Sequence, residues 1–195
     1  MQGEIEHGLS LAERKILLQI ARTAIELATQ GMRLPKLELE NYPHSLRENA
    51  ATFVTLTEAA SGRLRGCIGT LEAFQPLALD VQEHAAAAAM EDYRFTPVKP
   101  EEVSLLHIEI SRLTPSQPLK YSDPKALSGL LRPGIDGVVL KDGDMRSTFL
   151  PQVWEQLPDP YEFLNHLCQK MGATANIWQK KILTVLTYQV EEFHE

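Results

Sequence analysis

The sequence predicts an α+β fold, on three observations. Stretches with apolar residues at helical spacing are interspersed with stretches of strict two-residue alternation. Short turn signals, Ala60-Ser61-Gly62 and Asp142-Gly143, join neighbouring strand-like runs as hairpins. The 195 residues are 44% hydrophobic and 23% charged, enough for the core of one domain or of one domain with a modest second lobe.

The elements follow in order. Ser10-Leu11-Ala12-Glu13 is a capping box, and Leu17, Ile20, Ala21, Ala24, Leu27 and Ala28 then recur as one helical stripe. Arg14, Gln19, Arg22 and Glu26 fall outside it, and Gly31 suits the left-handed residue after the helix. Residues 32–48, with Pro35 and Pro43, form a connection longer than usual, either a wrapping segment or part of a site. A strand is expected over 52–57, and its returning partner over 64–71. Pro76 suits the first turn of a second helix reaching about Met90, whose alanines 85–89 let it lie close to a sheet. Residues 92–97 are a loop, and 104–113 the next strand. A short helix is expected over 124–131 and a hairpin around Asp142-Gly143. Asp159-Pro160 opens a helix ending near Gly172, and a final strand spans 182–191.

Several function classes are disfavoured. The net charge of −7 provides no global basic field for nucleic acid. No run approaches the roughly 18 apolar residues of a membrane span, and residues 1–7 lack the basic-then-apolar order of a signal peptide. Two cysteines, Cys67 and Cys168, are too few for a disulfide framework, so a reduced, cytoplasmic protein is expected. No HxxxH, CxxC, GxGxxG, GxxxxGK[ST] or GxSxG pattern is present, and no metal or cofactor is expected.

The densest run of special residues is Leu64-Arg65-Gly66-Cys67-Ile68-Gly69-Thr70-Leu71. Alternation places Arg65, Cys67 and Gly69 on one face of a strand. Gly66 and Gly69 weaken a strand, which suggests a bulge or a close approach by backbone or ligand. Arg65 near Cys67 favours the thiolate and makes Cys67 a candidate nucleophile, whereas a cysteine at such a site is also a common buried apolar side chain. His107, Glu109 and Ser111 share the polar face of the 104–113 strand, where Glu109 or His107 can serve as general base if that face meets Cys67. The same alternation fits a half-buried sheet with a solvated face. Asp92 and Arg94 form a local ion pair, or Arg94 contacts an anionic ligand or the backbone of a partner; Gln152 is either a polar turn residue or one directed into a cavity.

The heptapeptide 64–70 resembles the signature of the AMMECR domain family, whose prokaryotic branch is known as AmmeMemoRadiSam system protein A. The resemblance continues in order through Glu91-Asp92-Tyr93-Arg94-Phe95, Glu109-Ile110-Ser111, Gly134-Ile135-Asp136-Gly137, Phe149-Leu150-Pro151-Gln152-Val153 and Phe163-Leu164 to Lys170 and Gly172. It covers the chain from about residue 10, departing at Tyr93 and at Ser147-Thr148. It implies a single unit with two unequal lobes, a mainly antiparallel sheet flanked by helices, and the signature near a cleft. It also implies a pathway shared with a Memo-like protein, similar to extradiol dioxygenases, and a radical-SAM enzyme. Three roles are consistent with this: an enzyme or enzyme component, a non-catalytic adaptor for those partners, and, least favoured by charge, a nucleic-acid-binding regulator. In the first, Cys67 is nucleophile or acid/base, Arg65 holds the thiolate or an anionic group, Glu109 is a base, and Gly66 and Gly69 admit the substrate.

Overall fold

The computed structural model describes residues 8–195; the N-terminal segment 1–7, read above for its lack of a signal-peptide pattern, lies outside the described residues. The chain forms two compact units, one built from the chain up to Leu113 together with Glu191–Glu195, the other from Thr114–Val190.

In the first unit, α1 (Leu11–Thr29) opens on the reciprocal capping box: Glu13 N–H donates to Ser10 Oγ at 3.3 Å and Ser10 N–H donates to Glu13 at 2.7 Å. The Ser10 hydroxyl also donates to the Glu13 carboxylate and, with the Ser45 hydroxyl and the Ser10 N–H, holds that carboxyl below its ordinary value. Gly31 has φ +69°, as its place after the helix predicts. Ile25, and not Leu27 and Ala28, completes the buried stripe. Two of the arginines outside that stripe reach inward. Arg14 pairs with the buried Glu191, and Arg22 donates to the carbonyls of Val103 and Leu106. Residues 32–48 include α2 (His44–Arg47) and wrap the core, with Leu46 fully buried and Leu34, Leu37 and Tyr42 packed against it.

Strand β1 (Asn49–Glu58) pairs antiparallel with β2 (Leu64–Gly69), with the short β3 (Gln75–Pro76) and with β4 (Leu106–Leu113). Across the sheet the order is β2-β1-β4-β9, where β9 is Val190–His194. Helix α3 (Leu77–Met90) buries Val81, Ala85, Ala88 and Ala89 in the core it shares with α1 and the sheet. Pro76 is its cap residue, one position earlier than expected. The strand expected over 104–113 starts at Leu106. Its first residues belong to a 3-10 helix, Pro100–Leu105, started by Pro100 and by Glu102 accepting from the Lys99 N–H.

The second unit carries a sheet in the order β5-β8-β6-β7, formed by Gln117–Pro118, Thr184–Tyr188, Gly137–Asp142 and Met145–Phe149. The hairpin between β6 and β7 turns at Gly143-Asp144, one residue later than the signal suggested, with Gly143 at φ +60°. Helix α4 (Leu127–Leu130) and the Asp159-capped α5 (Pro160–Lys170) cover it, and Trp154 stacks on Phe163 at 3.7 Å between centroids. The single final strand expected over 182–191 is two strands. Gln189 interrupts it, exchanging main-chain and hydroxyl hydrogen bonds with Thr114, so that β8 joins the second unit's sheet and β9 the first's.

Candidate functional site

Strand β2 is an edge strand, and an unpaired edge exposes main-chain groups that must be satisfied. Cys67 lies opposite Thr55 of β1 in a non-hydrogen-bonded pair, its own N–H and C=O finding partners outside that strand. Both are taken by one ion pair from the loop after α3. Cys67 N–H donates to Asp92 Oδ2 at 2.8 Å, and Arg94 Nη2 donates to the Cys67 carbonyl at 3.3 Å. Asp92 is buried. It also accepts from the Arg94 main chain at 3.2 Å and from its guanidinium at 2.9 and 2.7 Å. The Arg94 guanidinium holds the Asp92 carboxyl well below the usual carboxylate range, and Asp92 in turn pushes Arg94 up. The pair is therefore more than a tie within the loop: it replaces a neighbouring strand along Cys67.

Arg65 completes the attachment. Its guanidinium pairs with the anionic Glu102 (3.1 and 3.2 Å), while donating to the carbonyls of Thr96 at 2.9 Å and Pro97 at 3.4 Å. Arg65 keeps the Glu102 carboxyl below its ordinary value. The guanidinium that acts on Cys67 is that of Arg94. The two glycines have steric roles. A Cβ on Gly66 would stand 2.1 Å from the Ala88 carbonyl oxygen of α3, and one on Gly69 would stand 2.3 Å from the Thr52 oxygen and 2.4 Å from the Phe53 ring. The close approaches inferred for both are thus made by the protein's own backbone and by Phe53.

On the face opposite α3, register lines up Cys67, Thr55 and Glu109 on three adjacent strands. Thr55 Oγ1 donates to Cys67 Sγ at 3.3 Å. Glu109 is two strand spacings from Cys67, about 10 Å between main chains, and so outside direct hydrogen-bond reach of the thiol. His107, one pleat further along β4, stands with its ring 5.3 Å from that of His194. Cys67 is only partly covered, whereas Cys168 is fully buried and burial pushes its thiol up. Gln152 belongs to the second unit, exposed in the 3-10 helix Pro151–Glu155. Arg65, Phe95, Thr96, Lys99, Glu101 and Glu102 line an open depression of about 410 Å³ in the first unit. Among the described residues no three His, Cys, Asp or Glu side chains gather to hold a metal ion.

Two contributors escaped the sequence reading. Thr55 falls within the strand expected over 52–57 without being singled out, and Glu102 lies just ahead of the strand expected over 104–113. Neither carries a local motif, because each matters only through a partner on another element.

The two sheets and their helices define an α+β protein whose signature edge strand is braced by the Asp92–Arg94 ion pair. A sequence model of the AMMECR1 family matches residues 18–193, and the chain belongs to that family. It is 39% identical over 191 residues to a protein of Methanothermobacter thermautotrophicus, covering 96% of each chain. It is 34% identical to Protein MJ0810 of Methanocaldococcus jannaschii, covering 96% of this chain and 92% of that one. The crystal structure of an uncharacterized protein, PH0010 from Pyrococcus horikoshii, superposes with a TM-score of 0.77 at 31% identity, over 96% of this chain and 93% of that one. Among the described residues no helix is long and apolar enough to cross a membrane.

Proposed function

We propose that the protein is an enzyme or enzyme component that acts at the sheet face bearing Cys67, with Cys67 as the reacting group. One contrast carries this reading. The outward main-chain groups of Cys67 are gripped by Asp92 and Arg94, yet its side chain is left partly open with a hydroxyl donated to the sulfur. A cysteine used only for packing resembles Cys168, sealed in a core. Rigid support around an accessible group is what a reacting side chain requires. Arg94 anchors Cys67 through its carbonyl, and Glu109, beyond Thr55, serves as base only through an intervening group or substrate. The resemblance of the signature to the prokaryotic AmmeMemoRadiSam branch supports a cytoplasmic pathway shared with a Memo-like protein and a radical-SAM enzyme.

The expected result with iodoacetamide at neutral pH is alkylation of Cys67 in the folded protein and of Cys168 only after unfolding, read by peptide mass spectrometry. If Cys67 also waits for unfolding, it is a packing residue and the reading fails.

A second reading, an adaptor subunit for the same partners, has its own support. Arg65, Asp92 and Arg94 all serve to hold residues 92–102 against β2, as a docking surface would require. It predicts co-purification with one of the partners at micromolar concentration, unaffected by Cys67→Ser. Loss of binding in that variant would return the argument to the thiol.

A further inference from the structure

Thr55 occupies the middle of β1, with Cys67 beside it on one neighbouring strand and Glu109 on the other. Its hydroxyl has one proton, and the bond it makes is to the sulfur, Oγ1 to Sγ at 3.3 Å. A neutral thiol is a weak acceptor, so such a bond is worth most when the sulfur carries charge. We propose that Thr55 is a positioning residue for Cys67: its hydroxyl fixes the side chain's rotamer and stabilises the thiolate over the thiol by donating to it. This rests on Cys67 being the reacting group.

The charges around the sulfur leave that task to the hydroxyl. On β2, Arg65 is committed to Glu102. From the loop after α3, Asp92 and Arg94 neutralise one another while gripping the Cys67 main chain, the Arg94 guanidinium being bonded at the carbonyl. From β4, Glu109 opposes it across Thr55, and His107 stands one pleat further on. Among the described residues, the Thr55 hydroxyl is the group seen donating directly to the sulfur. Threonine in place of valine at a mid-strand position is otherwise unremarkable, since both pack equally well on a pleated surface. The hydroxyl, and not the shape, is the distinguishing feature.

The test is the rate of iodoacetamide alkylation of Cys67 as a function of pH, followed on its own peptide, in the parent protein and in Thr55→Val, Thr55→Ala and Thr55→Ser. Loss of one hydrogen bond to the thiolate is expected to slow Thr55→Val about tenfold at neutral pH, which corresponds to a profile displaced by about one pH unit. At high pH, where every thiol is ionised, the parent and Thr55→Val rates converge. Thr55→Ser restores the parent profile, and Thr55→Ala follows Thr55→Val should the latter fold poorly. A variant whose rate rises at all pH values has lost cover over the sulfur and nothing else, and overturns the proposal. So does a Thr55→Val profile matching the parent, which leaves Cys67 reactive and the functional reading intact. A parent Cys67 that is inert until unfolding overturns both.

Discussion

Gly66→Ala is expected to destabilise the first unit by about 3 kcal/mol or more, at the upper end for an added core methyl. The cost is steric alone, because Gly66 does not have a positive φ. Its Cβ would lie 2.1 Å from the Ala88 oxygen and 3.1 Å from the Ala88 carbonyl carbon, and both are main-chain atoms of a 14-residue helix. A flexible side chain would swing aside, but here α3 must move, and with it the buried contacts of Val81, Ala85 and Ala89. Gly129→Ala is the natural control. No atom lies within 4 Å of the Cβ position there, and the residue is exposed within α4, so alanine is expected to be neutral or to stabilise by up to about 1 kcal/mol. Urea unfolding followed by circular dichroism compares the two. Equal midpoints for Gly66→Ala and the parent would show that the helix does not depend on the missing side chain.

The second large effect belongs to Asp92. Replacement by alanine strips the Cys67 N–H of its acceptor and leaves Arg94 without its carboxylate. Breaking a buried ion pair costs about 3–5 kcal/mol, but the Arg94 side chain is 44% exposed and rehydrates, which brings the expected loss to about 2 kcal/mol. The same group makes stability depend on acid. Because the folded-state value of Asp92 is depressed, chiefly by its hydrogen bonds to Arg94, its contribution is fully present above the unfolded value of about 3.9. It drains away as pH falls below that point toward the folded-state value. Asp92→Asn, which keeps the shape and loses the charge, is expected to be less stable at neutral pH and to lose less on going to pH 3. Parallel acid profiles for parent and Asp92→Asn would mean that the pair contributes nothing to folding. Amide exchange adds a local reading: the Cys67 N–H, protected in the parent, is expected to exchange much faster in either variant.

These two residues also show how differently parts of the molecule were legible. The capping box at Ser10, the Asp159-Pro160 helix start, Gly31 beyond α1 and the strand character of 64–69 are all written within four or so neighbouring residues. The forces that set them, local hydrogen bonds and preferred dihedrals, act at that range. The start of β4 was misplaced because the 3-10 helix of Pro100–Leu105 shares its apolar residues with a strand pattern, and tertiary pairing decided where extension began. The break at Gln189 was invisible for a related reason. Alternation runs through it, and the chain changes sheets without changing period.

The sequence alone therefore determined the class, the family resemblance and the elements with local signals, and it singled out residues 64–70 as the candidate site. Tertiary structure decided what each of those residues does. Arg65 finds Glu102 across 37 residues, Cys67 finds Asp92 across 25, and Thr55 meets Cys67 only because β1 and β2 pair in one register and not another. Periodicity states which face a side chain takes. It carries no information on which distant charge or hydroxyl will occupy the space in front of that face, because that choice is made by strand register and packing and not by neighbours along the chain.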